Sequence, residues 1–227
     1  MLIGLVGFIG SGKGTIADIL TKKHNFTKLS FADTLKDATA AIFGWQRHLL
    51  EGDTDESRAF REQKDEWWSE RFGYEFTPRL ALQWMGTEAG RQVFHEDIWL
   101  RSLERRMELY PNVVIADVRF RNEIEFIQSK GGFIVRVNRG GNPEWYDTAL
   151  IANSTDEIPV NGLRTKKMQA WDDMETKFKV HYSEWAWIGT NADYQIDNIG
   201  NLSNLDGDVQ HMLKVFTGPK HPATIAA

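Results

Sequence analysis

"LIGLVGFIGSGKGTIADILTKKH", residues 2–24, carries a short apolar run into a glycine-rich turn and the turn into an amphipathic segment. Residues 2–6, LIGLV, are continuously apolar, as expected of a strand covered on both faces. From Gly12 to His24 the apolar positions Ile16, Ile19 and Leu20 recur at helical spacing, so a helix starts inside the glycine turn. In the turn, GFIGSGKGT (7–15), Gly7, Gly12 and Lys13 fit the phosphate-loop pattern G-x-x-x-x-G-K-[ST]; Gly14 stands at the hydroxyl position and Thr15 follows it. A loop of this kind cradles phosphates on backbone N–H groups and a helix N-terminus, here those of Gly10, Ser11, Gly12, Lys13, Gly14 and Thr15. Lys13 is placed to reach the β- and γ-phosphates, and Thr15 is the candidate for ordering magnesium or the phosphates. The stretch points to a bound nucleoside triphosphate.

Outward from the loop, FTKLSF (26–31) reads as a second strand and DTLKDATAAIFGW as a second helix, with Asp33 near its start and Gly44 at its end. Strand and helix in alternation predict an α/β fold with a parallel central sheet of about five strands and helices on both faces. Residues 46–76 are densely charged, with aromatics gathered at Trp67, Trp68, Phe72, Tyr74 and Phe76; the pattern predicts a solvated helical insertion. Thr77 and Pro78 then suit the start of a helix through PRLALQWMGTEAGRQVF, with Trp84 in its core face, and a further helix covers 98–110. VVIAD (113–117) reads as a buried strand, RNEIEFIQSKGG as a helix, FIVRV (133–137) as a strand and YQIDN (194–198) as the last strand. Residues 139–192 lose periodicity and gather Gly, Asn, Pro and Trp, which predicts a loop-rich insertion or lid. LDGDVQHMLKVF closes the chain as a helix before a loose tail, TGPKHPATIAA. The expected organisation is one domain over 1–227, with its core at 1–45, 77–138 and 193–217.

Composition narrows the class. At 227 residues the chain suits one well-buried domain with insertions. A formal charge of −5, with cations spread along the chain, argues against a polynucleotide-binding face. The lack of cysteine excludes disulfides, thiolate metal sites and cysteine nucleophiles. No stretch approaches the roughly 18 apolar residues of a membrane span, so the expectation is a soluble protein of the cytoplasm. The triplet NST (153–155) then reads as a polar loop rather than a glycosylation acceptor. The six histidines lack zinc-ligand spacing, and neither G-x-S-x-G nor the N-K-x-D element of GTPases occurs.

A triphosphate does not name the reaction; the second site does. In PRLALQWMGTEAG, Arg79, Gln83 and Thr87 follow at four-residue steps, along one ridge of a helix. Arg binds phosphate in a bidentate way and Gln donates and accepts at once, so the row suits a phosphate and a base edge. Gly86 beside it allows close approach. In VVIADVRFRNE, Asp117 ends a buried strand, where open α/β sheets place their ligands. Arg119, two residues on, can face the same crevice and stabilise a transferring phosphoryl group, and Glu123 follows in the first helical turn.

Taken in order, GFIGSGKGT, LSFADTLKDA, RLALQWMGTEAGRQVFHEDIWL, VVIADVRFRNEIEFIQSKGGFIVRVNRGG, HYSEWAW and YQIDNIGNLSNL resemble the deoxynucleoside monophosphate kinases of tailed bacteriophages, a branch of the P-loop nucleoside monophosphate kinases. The resemblance implies that Lys13 and the loop hold ATP, that Arg79, Gln83, Gly86, Thr87 and Trp99 line an acceptor nucleotide pocket, and that Lys36 is a further partner for the acceptor phosphate. It sets Asp117, Arg119 and Glu123 between two nucleotides, with magnesium at Thr15 and Asp117, and it admits a homodimer. Family members often carry Asp where Gly14 stands. Arg139 and the run RTKK (164–167) are candidate lid cations. The implied reaction is ATP-dependent phosphorylation of a deoxynucleoside monophosphate. The alternatives are another small P-loop kinase, such as one acting on dephospho-coenzyme A, or a nucleotide-binding regulatory module.

Overall fold

The computed structural model describes residues 1–154 and 165–218. Thr155 of the NST triplet, Arg164 of the RTKK run and residues 219–227 of the tail lie outside them. Along the chain run β1 (Leu2–Val6), α1 (Lys13–His24), β2 (Thr27–Leu29), α2 (Asp33–Phe43), α3 (Asp55–Glu62), α4 (Glu66–Phe72), α5 (Pro78–Trp84), a π-helical stretch (Met85–Phe94) and α6 (Ile98–Met107). They continue with β3 (Val113–Ile115), α7 (Arg121–Ser129), β4 (Phe133–Asn138), α8 (Tyr146–Ala152), α9 (Lys166–Asp172), a second π-helical stretch (Asp173–Phe178), β5 (Tyr194–Asp197) and α10 (Leu202–Thr217). The contacts divide the chain into two compact units, Met1–Lys28 with Asn112–Ala227, and Leu29–Pro111.

The first unit is built on β1, whose five residues are all buried. The sheet order is β2-β3-β1-β4-β5; β1 runs parallel to β3 and β4, and β4 parallel to β5. Side chains alternate across β1. Ile3 and Leu5 join Ile16 and Leu20 of α1 and Val209 and Met212 of α10 in one buried cluster. Gly4 points the other way and leaves room for Ile127 of α7. Helices therefore cover both faces of the central strand, the three-layer arrangement expected of a parallel sheet. The chain moves from β1 to one side of the sheet and later to the other, so the carboxyl end of β1 is a topological switch point, where such sheets bind ligands. The strand expected over 113–117 stops at Ile115, which puts Asp117 in the turn beyond the sheet rather than in its last rung.

The described residues of 139–192 carry more order than their lack of period predicts. Trp171, Tyr182 and Trp185 pack with ring centroids 4.7–4.8 Å apart, and Trp185 is fully buried. Short helices held by aromatic contacts leave no run long enough for a 3.6-residue period to show.

In the second unit, Ala40, Leu50 and Leu82 are buried with Leu35, Trp45 and Phe60 around them. Phe43 lies 4.8 Å from Trp45, 5.1 Å from Phe76 and 5.2 Å from Trp68 by ring centroid. The segment 46–76 thus supplies core as well as surface, a correction to the solvated insertion expected from its charge. Most of its charged residues lie outward; of its aromatics Phe76 is buried and Phe60 and Trp68 half-buried, while Trp67, Phe72 and Tyr74 stay exposed, as a solvated segment predicts. Thr54, Asp65 and Thr77 cap α3, α4 and α5 through bonds from the N–H groups of Ser57, Trp68 and Leu80. Trp84, expected in the core, is instead 40% exposed, resting on Tyr74 and Phe76 at the rim of the aromatic cluster. Past Met85 the backbone winds as a π-helix, so Gln83 lies in the last turn of α5 and Thr87 in the π-helical stretch that continues it.

Candidate active site

In the first unit the loop leaving β1 is crowded at both ends, by the backbone of β4 at Gly7 and by the side chain of Asn198 at Gly12. At Gly7, with φ of 146°, a Cβ would fall 2.3 Å from the Val137 carbonyl oxygen of β4. Gly12, with φ of 103°, begins α1 without any side-chain cap and without an acidic residue in the first turn. The first N–H groups of α1 and the positive end of its dipole are therefore left for an anion. Lys13 Nζ donates to the carbonyl oxygens of Gly7 at 2.6 Å and Phe8 at 2.8 Å, so the loop wraps its own ammonium. The ring of Phe8 is held edge-on by Trp145 at 5.5 Å and Trp187 at 5.1 Å.

A cavity of roughly 70 Å³, the space of about two waters or one phosphoryl group, opens beside the loop, lined by Lys13, Asp117, Arg119, Glu184 and Trp187 among others. Three of the sequence candidates, Lys13, Asp117 and Arg119, thus share one cavity. Arg119 Nη1 donates to Glu184 Oε1 at 2.5 Å and to Ser183 Oγ at 3.3 Å. Glu123 is buried; its Oε2 accepts from the backbone N–H groups of Arg119 at 2.8 Å and Phe120 at 3.1 Å. It fixes the turn that aims Arg119. Burial, and then the Arg119 charge, lower the Lys13 pKa to about 8, while Glu184 pulls the other way. Thr15 is exposed on the first turn of α1. Asp117 and Thr15 offer a carboxylate and a hydroxyl oxygen, the hard donors that magnesium takes together with phosphates and water.

The remaining candidates belong to the second unit. Lys36 Nζ bonds Glu51 Oε2 at 2.6 Å, and Arg79 Nε bonds Glu62. Gln83, at the end of α5, and Thr87, in the π-helical stretch, are both exposed. Trp99 Nε1 donates to the Gly86 carbonyl oxygen at 2.8 Å, and its ring lies where a Cβ on Gly90 would stand. The indole expected to stack on a base is therefore also a brace for the π-helical stretch. Arg139 and Lys166, considered as lid cations, are exposed.

Two pairings of the first unit escape the sequence, although HYSEWAW, which holds Ser183 and Glu184, is among the stretches that carry the resemblance. Glu184 and Ser183, about 65 positions from Arg119, are the partners of its guanidinium. Asn198, which follows β5, donates from Nδ2 to the Ser11 carbonyl oxygen at 2.9 Å across 187 positions. Neither pairing has a local signal. The only hint for Asn198 is its place directly after a strand that ends at the switch-point edge.

No protein-family model matches the chain. Among solved structures it is similar to a shikimate kinase from Aquifex aeolicus, 14% identical with a TM-score of 0.42, covering 96% of this chain and 100% of that one. A dephospho-CoA kinase from Campylobacter jejuni is 13% identical with a TM-score of 0.42, covering 94% and 96%. These likenesses are loose and bear on neither substrate nor chemistry. Two viral proteins are nearer in sequence. The deoxynucleoside-5′-monophosphate kinase of Escherichia phage T5 is 30% identical over 56% of this chain and 72% of that protein. A protein of Acanthamoeba polyphaga mimivirus, provisionally named deoxynucleotide monophosphate kinase, is 32% identical over 69% of this chain and 91% of its own length. Identity of 32% sustained across 91% of that relative settles the kinship, and the chain belongs to the deoxynucleoside monophosphate kinase family.

Proposed function

We propose that the protein transfers the γ-phosphoryl group of ATP to the 5′-phosphate of a deoxynucleoside monophosphate, giving the diphosphate used as a DNA precursor. The observation that carries the reading is that Lys13 of the loop and Arg119 beyond β3 line one cavity of phosphoryl size. The loop N–H groups hold the β- and γ-phosphates, and Lys13 turns from the Gly7 and Phe8 carbonyls to the phosphate oxygens. Arg119 exchanges Glu184 for the transferring group and takes up charge as it leaves ADP. An oxygen of the acceptor phosphate attacks in line, so the enzyme itself forms no covalent bond. Asp117 and Thr15 are the residues that would hold magnesium, which when bound would withdraw charge from the phosphate oxygens.

On the acceptor side, Lys36, Arg79, Gln83, Gly86, Thr87 and Trp99 of the second unit are assigned to the deoxynucleotide. Lys36 and Arg79 rest on Glu51 and Glu62, carboxylates that stand where a phosphate dianion would compete. The reading sets the protein in the cytoplasm with the nucleotide pool; no helix among the described residues is long and apolar enough to cross a membrane.

The test is ADP release from Mg-ATP with dAMP, dCMP, dGMP, dTMP, their ribose counterparts and dephospho-coenzyme A offered in turn, beside Lys13→Ala and Arg119→Ala. Turnover with one or more deoxynucleotides, lost in both variants, is the expected result. ATP binding without turnover on any acceptor, or turnover confined to dephospho-coenzyme A, overturns the reading.

A further inference from the structure

The phosphate loop is held from outside by a residue that plays no part in the reaction described above. Asn198 stands immediately beyond β5, and its own backbone N–H donates to the Asn138 carbonyl oxygen at the end of β4, at 2.7 Å. Asn138 Nδ2 in turn donates to Asp197 Oδ1 at 3.1 Å. The residue is thus fixed by two strand ends, and its amide is not a free surface group.

That amide reaches the loop. Nδ2 lies 2.9 Å from the Ser11 carbonyl oxygen, and a Cβ on Gly12 would fall 2.3 Å from the same nitrogen. Glycine at position 12 therefore answers two demands, a φ of 103° and the seat of the Asn198 amide. In a planar trans peptide the C=O and N–H point in opposite directions. Anchoring the Ser11 carbonyl to Asn198 turns the Gly12 N–H away from the end of β5. That N–H finds no acceptor among the described residues. It is a donor held ready at the point where α1 begins.

We propose that Asn198 is a positioning residue for triphosphate binding: it clasps the Ser11–Gly12 peptide so that the Gly12 N–H faces the phosphates. The inference rests on the reading that this loop holds a triphosphate, and it gives Asn198 a role through the Ser11–Gly12 peptide rather than through the phosphates. Preorganising one backbone donor matters because an unanchored peptide unit must be ordered at the moment of binding, which weakens the complex by the cost of that ordering.

The experiment uses the full chain and two substitutions that keep the branching of the side chain, Asn198→Leu, which is bulkier and removes the donor, and the isosteric Asn198→Asp, which sets a carboxylate against the Ser11 carbonyl. Binding of ATP and of inorganic tripolyphosphate is followed by titration calorimetry, and KM for ATP and for the accepted deoxynucleotide is measured separately. Both variants are expected to lose about tenfold in affinity for ATP and for tripolyphosphate, as for one lost hydrogen bond to a charged group, with Asn198→Asp the weaker binder. KM for the deoxynucleotide stays within about twofold, and the unliganded melting temperature moves little. Should Asn198→Leu fail to fold, the isosteric Asn198→Asp decides the question alone. Affinity equal to wild type in both variants overturns the proposal, as does an equal loss for ATP and deoxynucleotide, which marks general damage. A wild-type chain that binds ATP and phosphorylates no deoxynucleotide refutes the reaction, while the Asn198 comparison is still decided by the binding data.

Discussion

Raising the pH from 7.5 to 9.5 is expected to release ATP from the free enzyme's phosphate loop, because Lys13 loses its proton well below the usual range for lysine. With its pKa at about 8, the ammonium is roughly three-quarters populated at pH 7.5 and about 3% populated at pH 9.5. Affinity that requires the charged form should fall about 25-fold over that interval. A lysine at the ordinary value of 10.5 would lose only about a tenth of its charge, and the affinity would scarcely move. The phosphates add no slope of their own, since the second ionisation of a phosphate group, near 6, is complete before the window opens. The assay is calorimetric titration of ATP at fixed ionic strength across the interval. Arg119→Ala, which removes a neighbouring cation, should move the midpoint up, and Glu184→Gln, which removes the nearby carboxylate, should move it down. Lys13→Arg should flatten the profile, because a guanidinium does not titrate here. An affinity constant between pH 7.5 and 9.5, or a slope that survives in Lys13→Arg, would refute the argument. The same shift has a sign for folding. The native chain sheds this proton before the unfolded chain does, so the Lys13 contribution to stability rises between about pH 8 and 10.5, by roughly 3 kcal/mol at most.

Two further substitutions test the scaffold of the site. Gly14→Ser meets open space, with nothing within 4 Å of its Cβ, and should stabilise the first turn of α1 by about 0.5 kcal/mol in urea unfolding of the unliganded chain. Loss of stability in that variant would show that glycine is needed there. Trp185→Ala empties a fully buried position and removes the bond from its indole Nε1 to the Val180 carbonyl oxygen, at an expected cost of about 3–5 kcal/mol in the same assay. A cost under about 1 kcal/mol would mean that the aromatic cluster around Trp171 and Tyr182 closes over the gap.

What the sequence discloses about this chain follows the range of the forces involved. β1, the glycine loop and α1 are local and repetitive, so LIGLV, the turn glycines and the spacing of Ile16, Ile19 and Leu20 announce them. Gly44 at the end of α2 and the Thr77–Pro78 start of α5 are legible for the same reason. Cores assembled from scattered rings are not legible. Phe43, Trp45, Phe60 and Phe76 meet through three short segments, and the dense charge between them suggests only solvent. Among the site residues, Lys13 and Arg119 declare themselves by motif and by position after a strand. Their electrostatic setting depends on Glu184, which no spacing links to either. The π-helical winding after Met85, against which the Trp99 ring lies at Gly86 and Gly90, is likewise not legible, because apolar spacing does not distinguish i→i+5 from i→i+4 bonding over so short a stretch.

The ring of Trp187 touches both halves of this electrostatic setting. It lies 5.1 Å from Phe8 of the phosphate loop, and its indole Nε1 donates to the backbone oxygen of Glu184, whose carboxylate holds Arg119. The ring is nearly sealed from water at 4% exposure, with the Arg136 guanidinium 5.4 Å from its centroid. The emission colour of a buried indole follows the electric field across it, because excitation moves electron density from one of its rings to the other. Drawing Arg119 away from Glu184 and bringing in a triphosphate rearranges that field within a few ångströms of the chromophore. On the proposed reading the molecule carries its own optical gauge of site occupancy, and the emission owed to Trp187, taken as the difference between wild type and Trp187→Phe, should change as the phosphate loop fills and empties.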